Sequence, residues 1–198
     1  MFGFVRISTF VAWFFACMLC GAGLLLTSFY LYLTPSLPNP EELKTIQLQT
    51  PLRLYTSDNK IVAEFGEKRR TPINISEIPQ ALIDSFLAAE DNRFYEHQGI
   101  DLKGLARAAT QLISTGKIVS GGSTITMQVA KNFFLSREKT FIRKFNEIFL
   151  AIQIEQSLQK SEILELYLNK IYLGNRAYGV HAAAQAYYGK RLSELNLA

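Results

Sequence analysis

The chain is poor in cysteine: Cys17 and Cys20 are the only two, and residues 40–198 contain none. That excludes a disulfide framework for the bulk of the protein. The C-x-x-C spacing falls in an apolar run, where two buried thiols are a better reading than a redox or zinc motif. Histidine is equally scarce, with only His97 and His181. Neither belongs to an H-E-x-x-H pattern, so both read as structural, hydrogen-bonded side chains, and no metal site with recognisable ligand spacing is present. Repeats and low-complexity tracts are also missing. So is the P-loop pattern G-x-x-x-x-G-K-[ST].

Charge is absent altogether between Ile7 and Asn39. Within that gap Thr9–Leu33 reads "TFVAWFFACMLCGAGLLLTSFYLYL", longer than the roughly 20 apolar residues a helix needs to cross a bilayer. A secretory signal has a shorter apolar core and a small-residue cleavage site, so the run is expected to be an anchor. Arg6 precedes it, and Pro35, Pro38, Glu41 and Glu42 follow. The positive-inside rule then puts residues 1–8 in the cytoplasm, a transmembrane helix at 9–33, and the rest outside.

The net charge is a modest +4, but the basic residues cluster: Lys68, Arg69 and Arg70, then Lys131, Arg137, Lys139, Arg143 and Lys144. Outside a membrane and close to an anchor, such clusters suit anionic headgroups or phosphorylated lipids. An anchored, exported chain with no recognisable binding motif is not expected to meet nucleic acid.

Beyond the anchor, "LRLYT" (52–56) and "IVAEF" (61–65) flank the turn formers Asp58 and Asn59 and predict a β-hairpin within a linker, residues 34–75. From residue 76 the pattern is helical, and helices are expected at about 78–90, 102–115, 124–135, 138–158, 162–173 and 180–188. Asp101 and Ser161 are expected N-caps, and Gly116, Gly174 and Gly189 expected stops. The closing "SELNLA" looks like a new N-cap and an unfinished turn, so the domain at 76–198 is expected to be truncated at its C-terminal end.

Three stretches carry chemistry. In "AAEDNRFYEHQGID", Glu90 follows Ile83, Phe86 and Leu87 at helical spacing, which aims it with the core-facing side chains. A carboxyl at the edge of an apolar wall loses solvation and becomes a usable base or acid near neutrality. The alternative is a helix-end glutamate paired with Arg93. In "SGGSTITMQVAKN", two glycines, Ser123 and Thr124 open a helix whose N-terminus favours an anion, with Gln128 and Lys131 one and two turns on. A Gly-Gly turn with a serine cap is also simply a common helix start. In "REKTFIRKFNEIFLAIQIE", Phe141, Phe145, Ile148, Phe149 and Ile152 share a face. Lys139, Arg143, Lys144 and Glu147 share the other. Cations there could hold a diphosphate, or the face could simply be solvated.

Taken together these stretches resemble the peptidoglycan glycosyltransferases. "EDNRFYEHQG" is similar to their EDxxFxxHxG motif, "GGSTITMQVAKN" to GGSTITQQ with its trailing K-N, and "RKFNE" to R-K-x-x-E. "KSEILELYLNKIYLGNRAYGV" is similar to the K-x-x-I-L-x-x-Y-L-N block. The resemblance covers about residues 40–198 and is strongest to class A penicillin-binding proteins of the 1A type. It implies a mainly α, lysozyme-like glycosyltransferase domain, preceded by a single transmembrane helix and a short β-hairpin linker, outside the inner membrane on the periplasmic side. It implies polymerisation of lipid II into β-1,4-linked glycan with inversion and release of undecaprenyl diphosphate.

Carried over residue by residue, the resemblance makes Glu90 the base and Glu147 the second catalytic glutamate on the diphosphate side. Ser123, Thr124, Gln128, Lys131, Lys139, Arg143 and Lys144 become substrate-binding. It requires no cofactor, and allows a divalent cation, Mg or Mn, at the diphosphate. Implied partners are lipid II, the growing glycan strand, membrane lipid and other cell-wall synthesis proteins. Met127 stands where the family has the first glutamine of its Q-Q pair, and Lys139 where some relatives have arginine. The fifth motif, R-x-x-x-V-L, is absent. S-x-x-K occurs at Ser114–Lys117 and Ser157–Lys160 without an S-x-N or K-T-G partner, so no transpeptidase site is expected within these residues. The rival readings are a lysozyme-like enzyme that cleaves glycan and an inactive, membrane-anchored cell-wall scaffold.

Overall fold

The computed structural model describes residues 2–33, 37–46, 48, 51–58, 61–65, 69–117, 121–136 and 140–195. The chain divides into two units, Met1–Pro38 and Asn39–Ala198. In the first, α1 runs unbroken from Phe2 to Leu33. Its side chains are described continuously from residue 10 to 25, and large apolar ones such as Phe10, Trp13, Phe14, Leu24 and Leu25 are exposed. Among the described residues no helix is long and apolar enough to cross a membrane.

The second unit is mainly helical. After a single 3-10 turn at Pro40–Lys44, capped by the Asn39 side chain, β1 (Leu52–Tyr55) and β2 (Ile61–Phe65) pair antiparallel, Leu52 opposite Phe65 and Leu54 opposite Ala63. Of the expected turn, Asn59 and Lys60 lie outside the described residues. Then come β3 (Arg69–Arg70), α2 (Gln80–Glu90), α3 (Leu102–Thr115), α4 (Ile125–Phe134), α5 (Phe141–Ser157), α6 (Lys160–Lys170), β4 (Ala177–Tyr178) and α7 (Val180–Tyr188). β3 and β4 form a two-residue parallel ladder, Arg69 with Ala177 and Arg70 with Tyr178.

The core centres on α4, which packs against both α5 and α6. It buries Ile125, Met127, Val129 and Ala130, facing Leu150, Ala151 and Ile154 of α5 and Ile163, Leu164, Tyr167 and Leu168 of α6. Gly99 allows a close approach to the α5 backbone. A Cβ there would stand 2.7 Å from the Ala151 carbonyl oxygen, and its φ of +88° suits only glycine without strain. α6 holds the entering chain through Asn169, whose amide accepts from Ile73 N–H at 2.9 Å and donates to Ile73 C=O at 2.8 Å.

Several boundaries differ from the sequence reading. α6 starts at Lys160 with Gln159 as N-cap, its backbone N–H donating to Glu162 at 2.7 Å, so Ser161 lies inside the helix. The capping glutamate three residues on outweighs the serine. Gly116 and Gly189 do close α3 and α7 in the left-handed conformation. α6 instead stops at Lys170, before Gly174, because Ile171 turns to an extended conformation and its carbonyl accepts from Gly179 N–H. On α5 the expected apolar face is the outer one in the first turns: Phe141 is 88% exposed and Phe145 39%. The buried side carries Glu147, Leu150, Ala151 and Ile154, because small Ala151 must meet Gly99.

Candidate active site

A cleft of about 420 Å³ opens between the end of α2, the first half of α3 and the segment entering α4. Glu90, Asp91 and Asn92 line one wall, Asp101, Gly104, Leu105 and Arg107 another, and Gly121, Gly122, Ser123, Thr124 and Gln128 the third. Its size is within the ordinary range for a small-molecule site.

Glu90 is the last residue of α2 and is exposed. The sequence placed it against an apolar wall; instead its carboxylate opens into the cleft and accepts a hydrogen bond from Gln128 Nε2 at 2.9 Å. The bland alternative is not seen either, because Arg93 pairs with Glu96 at 2.9 Å and with Asp101 at 3.1 Å. The core-facing carboxyl is Asp91, where the helix breaks: with φ −160° and ψ 73° the backbone leaves the α2 spiral and turns the next side chain inward. Helical phase could not foresee this, because it holds only while the helix lasts.

Asp91 ties the loop to α4. Both its oxygens lie 3.0 Å from His97 Nε2, and Oδ2 also accepts from Ile125 N–H at 3.0 Å. The α4 N-terminus therefore already holds a carboxylate, as the macrodipole favours. Thr124 completes the junction: its hydroxyl donates to Gly99 C=O at 2.6 Å and accepts from Met127 N–H at 3.2 Å. Lys160 closes the loop from behind, donating to His97 C=O and to Glu155 Oε1, each at 2.7 Å, above the Phe94 ring.

Glu147 does not line the cleft. It is buried on α5, with Arg143 donating to one carboxylate oxygen and Lys144 to the other, the latter at 2.8 Å. Lys144 also donates to Ser123 Oγ at 2.7 Å. Ser123 thus joins the cation pair to the cleft wall. Burial pushes the Lys144 ammonium below its ordinary value, followed by the charges of Arg143 and Lys131. Lys131 stands exposed on α4. Lys139, like Arg137, lies outside the described residues.

Asp101, the residue that precedes α3, and Arg107 of α3, neither singled out for chemistry by the sequence reading, line the same cleft as Glu90. Burial raises the Asp101 carboxyl, but hydrogen bonding to Gly104 N–H and the Arg93 charge bring it below its usual range. No pattern in the linear sequence points at Arg107; its place follows from where α3 lies. Among the described residues, no group of three His, Cys, Asp or Glu side chains is arranged to hold a metal ion.

The transglycosylase family profile matches residues 58–198. Penicillin-binding protein 1A of Pseudomonas aeruginosa is 57% identical over 194 residues, which is 98% of this chain and 24% of that protein. Penicillin-binding protein 1A of Escherichia coli is 52% identical over 181 residues, 91% of this chain and 21% of that protein. The chain thus spans about a quarter of the length of these relatives. A crystal structure of Penicillin-Binding Protein 1A from Haemophilus influenzae aligns with 77% of this chain and 13% of that one, at 32% identity and a TM-score of 0.33.

Proposed function

The chain belongs to the transglycosylase family, and from that premise we propose that it is a peptidoglycan glycosyltransferase that polymerises lipid II into β-1,4-linked glycan for cell-wall synthesis. One observation carries the reading: a carboxylate open to a cleft and a buried glutamate holding two cations are joined through the cleft wall by Ser123.

Sugar transfer to a hydroxyl needs a base on the acceptor and a cationic sink for the leaving group. Glu90 is the base. Its carboxylate takes the proton of the acceptor's 4-hydroxyl as that oxygen bonds to C1 of the donor sugar. The C1–O bond to the diphosphate breaks on the opposite face, with inversion, and undecaprenyl diphosphate leaves. Gln128 orients Glu90 by its 2.9 Å hydrogen bond. Arg143 and Lys144 receive the diphosphate charge, with Lys131 and Lys139 supplying further positive charge. Glu147 holds those two cations in place rather than touching the donor carbon. Ser123 belongs to the donor side through Lys144. Thr124 lines the cleft but contributes mainly by capping α4, since its hydroxyl is engaged on both sides. Among the described residues a divalent cation finds no ready ligand set, because both oxygens of Glu147 are engaged by Arg143 and Lys144.

The fold reading that goes with this is a lysozyme-like domain (76–198) after a linker at 34–75. α1, over residues 9–33, serves as an inner-membrane anchor with residues 1–8 in the cytoplasm and the catalytic domain on the periplasmic side. Support comes from its 32 helical residues and its exposed apolar side chains. Exposed Phe141 and Ile142 at the start of α5 suit contact with membrane lipid. The growing glycan strand and other cell-wall synthesis proteins are the remaining partners, and a transpeptidase domain would belong to a longer chain.

Incubating the purified protein with labelled lipid II tests this directly. Longer glycan chains are expected; cleavage of preformed glycan without polymerisation would establish the lytic reading instead, and neither activity would leave the scaffold.

A further inference from the structure

Tyr167 of α6 is fully buried, at 1% exposure, and its hydroxyl has no hydrogen-bond partner among the described residues. A buried hydroxyl without a partner costs free energy that a phenylalanine would not. The ring is fixed: Phe86 packs edge-on against it, with ring centroids 6.2 Å apart. Phe86 is one turn before Glu90 on α2, so Tyr167 lies against the helix face from which Glu90 projects. Burial, and then the Glu90 charge, push the Tyr167 hydroxyl well above its ordinary value. The hydroxyl therefore stays a proton donor at any working pH.

We propose that Tyr167 is a positioning residue for Glu90: its orphaned hydroxyl donates to the Glu90 carboxylate when that side chain leaves Gln128 to meet the acceptor. Glu90 thus exchanges one partner for another, the amide on α4 for the phenol on α6. The bound acceptor would displace the amide while the phenol keeps the carboxylate aimed. The other charged groups lining the cleft with Glu90 are Asp91, which follows it at the end of α2, Asp101, which precedes α3, and Arg107 of α3. Arg107 is the cation among them on the cleft wall. The inference rests on Glu90 acting as the base in the reading above.

Tyr167→Phe in the full-length protein tests it, because the ring and its packing remain. A purely structural hydroxyl predicts no change in activity, with a melting temperature equal or higher, since the unpartnered group is gone. The proposal predicts an equal or higher melting temperature together with a fall in kcat of about 10-fold or more, as expected for loss of a hydrogen bond to a charged group, and little change in KM. Unchanged kcat, or a fall in kcat accompanied by a lower melting temperature, overturns it. A second readout does not need turnover: the 13Cζ resonance of labelled Tyr167 should move on Glu90→Ala, and an unmoved resonance overturns the contact. If the wild type polymerises no lipid II but the resonance moves, the functional reading fails while the Tyr167–Glu90 contact stands.

Discussion

Glu90 and Asp91 are neighbours in the chain, yet they belong to regions that work in opposite ways. Asp91 sits in a sealed junction. It is 7% exposed and engages His97 and the N-terminus of α4, and around it Thr124, Gly99 and Lys160 have their polar groups satisfied by other parts of the protein. Glu90 sits in an open cleft with a single side-chain amide as partner. The junction uses its polar groups to fix one backbone arrangement. The cleft leaves its carboxylate exposed to the solvent and to whatever enters. The cation site on α5 is intermediate: Glu147 is buried like Asp91, but one of its partners, Lys144, is 40% exposed and reaches the cleft wall through Ser123. A change in the cleft should therefore remove activity without stability, whereas a change in the junction should remove both.

The sharpest test of that division is Glu90→Gln. The side chain keeps its shape and the site is exposed, so the melting temperature should not move. Lipid II polymerisation should fall by about 10²- to 10⁴-fold, the usual contribution of a positioned base. A variant that polymerises normally would put the base elsewhere in the cleft, and a variant that unfolds would erase the distinction between the two regions.

Asp91→Ala should act through stability. It leaves the buried His97 Nε2 and the Ile125 N–H without their acceptor, at about 1–3 kcal/mol for each stranded group. Thermal or urea unfolding reads this directly. Activity should fall as well, because the end of α2 carrying Glu90 is no longer tied through Asp91 to the helix carrying Gln128. If Asp91→Ala lowers activity at unchanged stability, Asp91 belongs to the cleft after all.

Much of this was legible in the sequence, for a physical reason. Helices with apolar residues at regular spacing declare themselves where local periodicity and burial agree: of the stripe Ile163, Leu164, Tyr167, Leu168, Ile171 and Tyr172, the first four are buried on α6, whereas Ile171 and Tyr172 lie past its end and Tyr172 is exposed. The hairpin strands at 52–55 and 61–65 do so as well. What could not be read depends on partners distant in sequence. The Arg69–Ala177 ladder joins two-residue segments more than a hundred positions apart, too short to leave a period. The inward turn of Asp91 depends on a single break in backbone conformation, and the occupation of the α4 N-terminus by that carboxylate depends on the turn. Within the site, residue types at Glu90, Ser123, Gln128, Arg143, Lys144 and Glu147 stood out by spacing and resemblance. That Lys144 joins Glu147 to Ser123 required α5 and the α4 entry to be placed side by side.

Gln128→Ala makes the smallest change and the most discriminating one. Gln128 is half-buried, lines the cleft, and donates to Glu90 without bracing the core. Losing one partly solvated hydrogen bond of roughly 0.5–1.5 kcal/mol should lower turnover by only about 2- to 12-fold, with the melting temperature unmoved. The size of the loss measures how much Gln128 does for Glu90. If the amide only parks the carboxylate between turnovers, turnover should stay at the top of that range of activities or even rise, because Glu90 is released sooner to the acceptor. If the amide aims the carboxylate during transfer, turnover should fall by the full amount, and Gln128→Glu, which sets a second negative charge against the base, should fall further. Either way the variant must fold as the wild type does, since the cleft, unlike the junction, does not hold the molecule together.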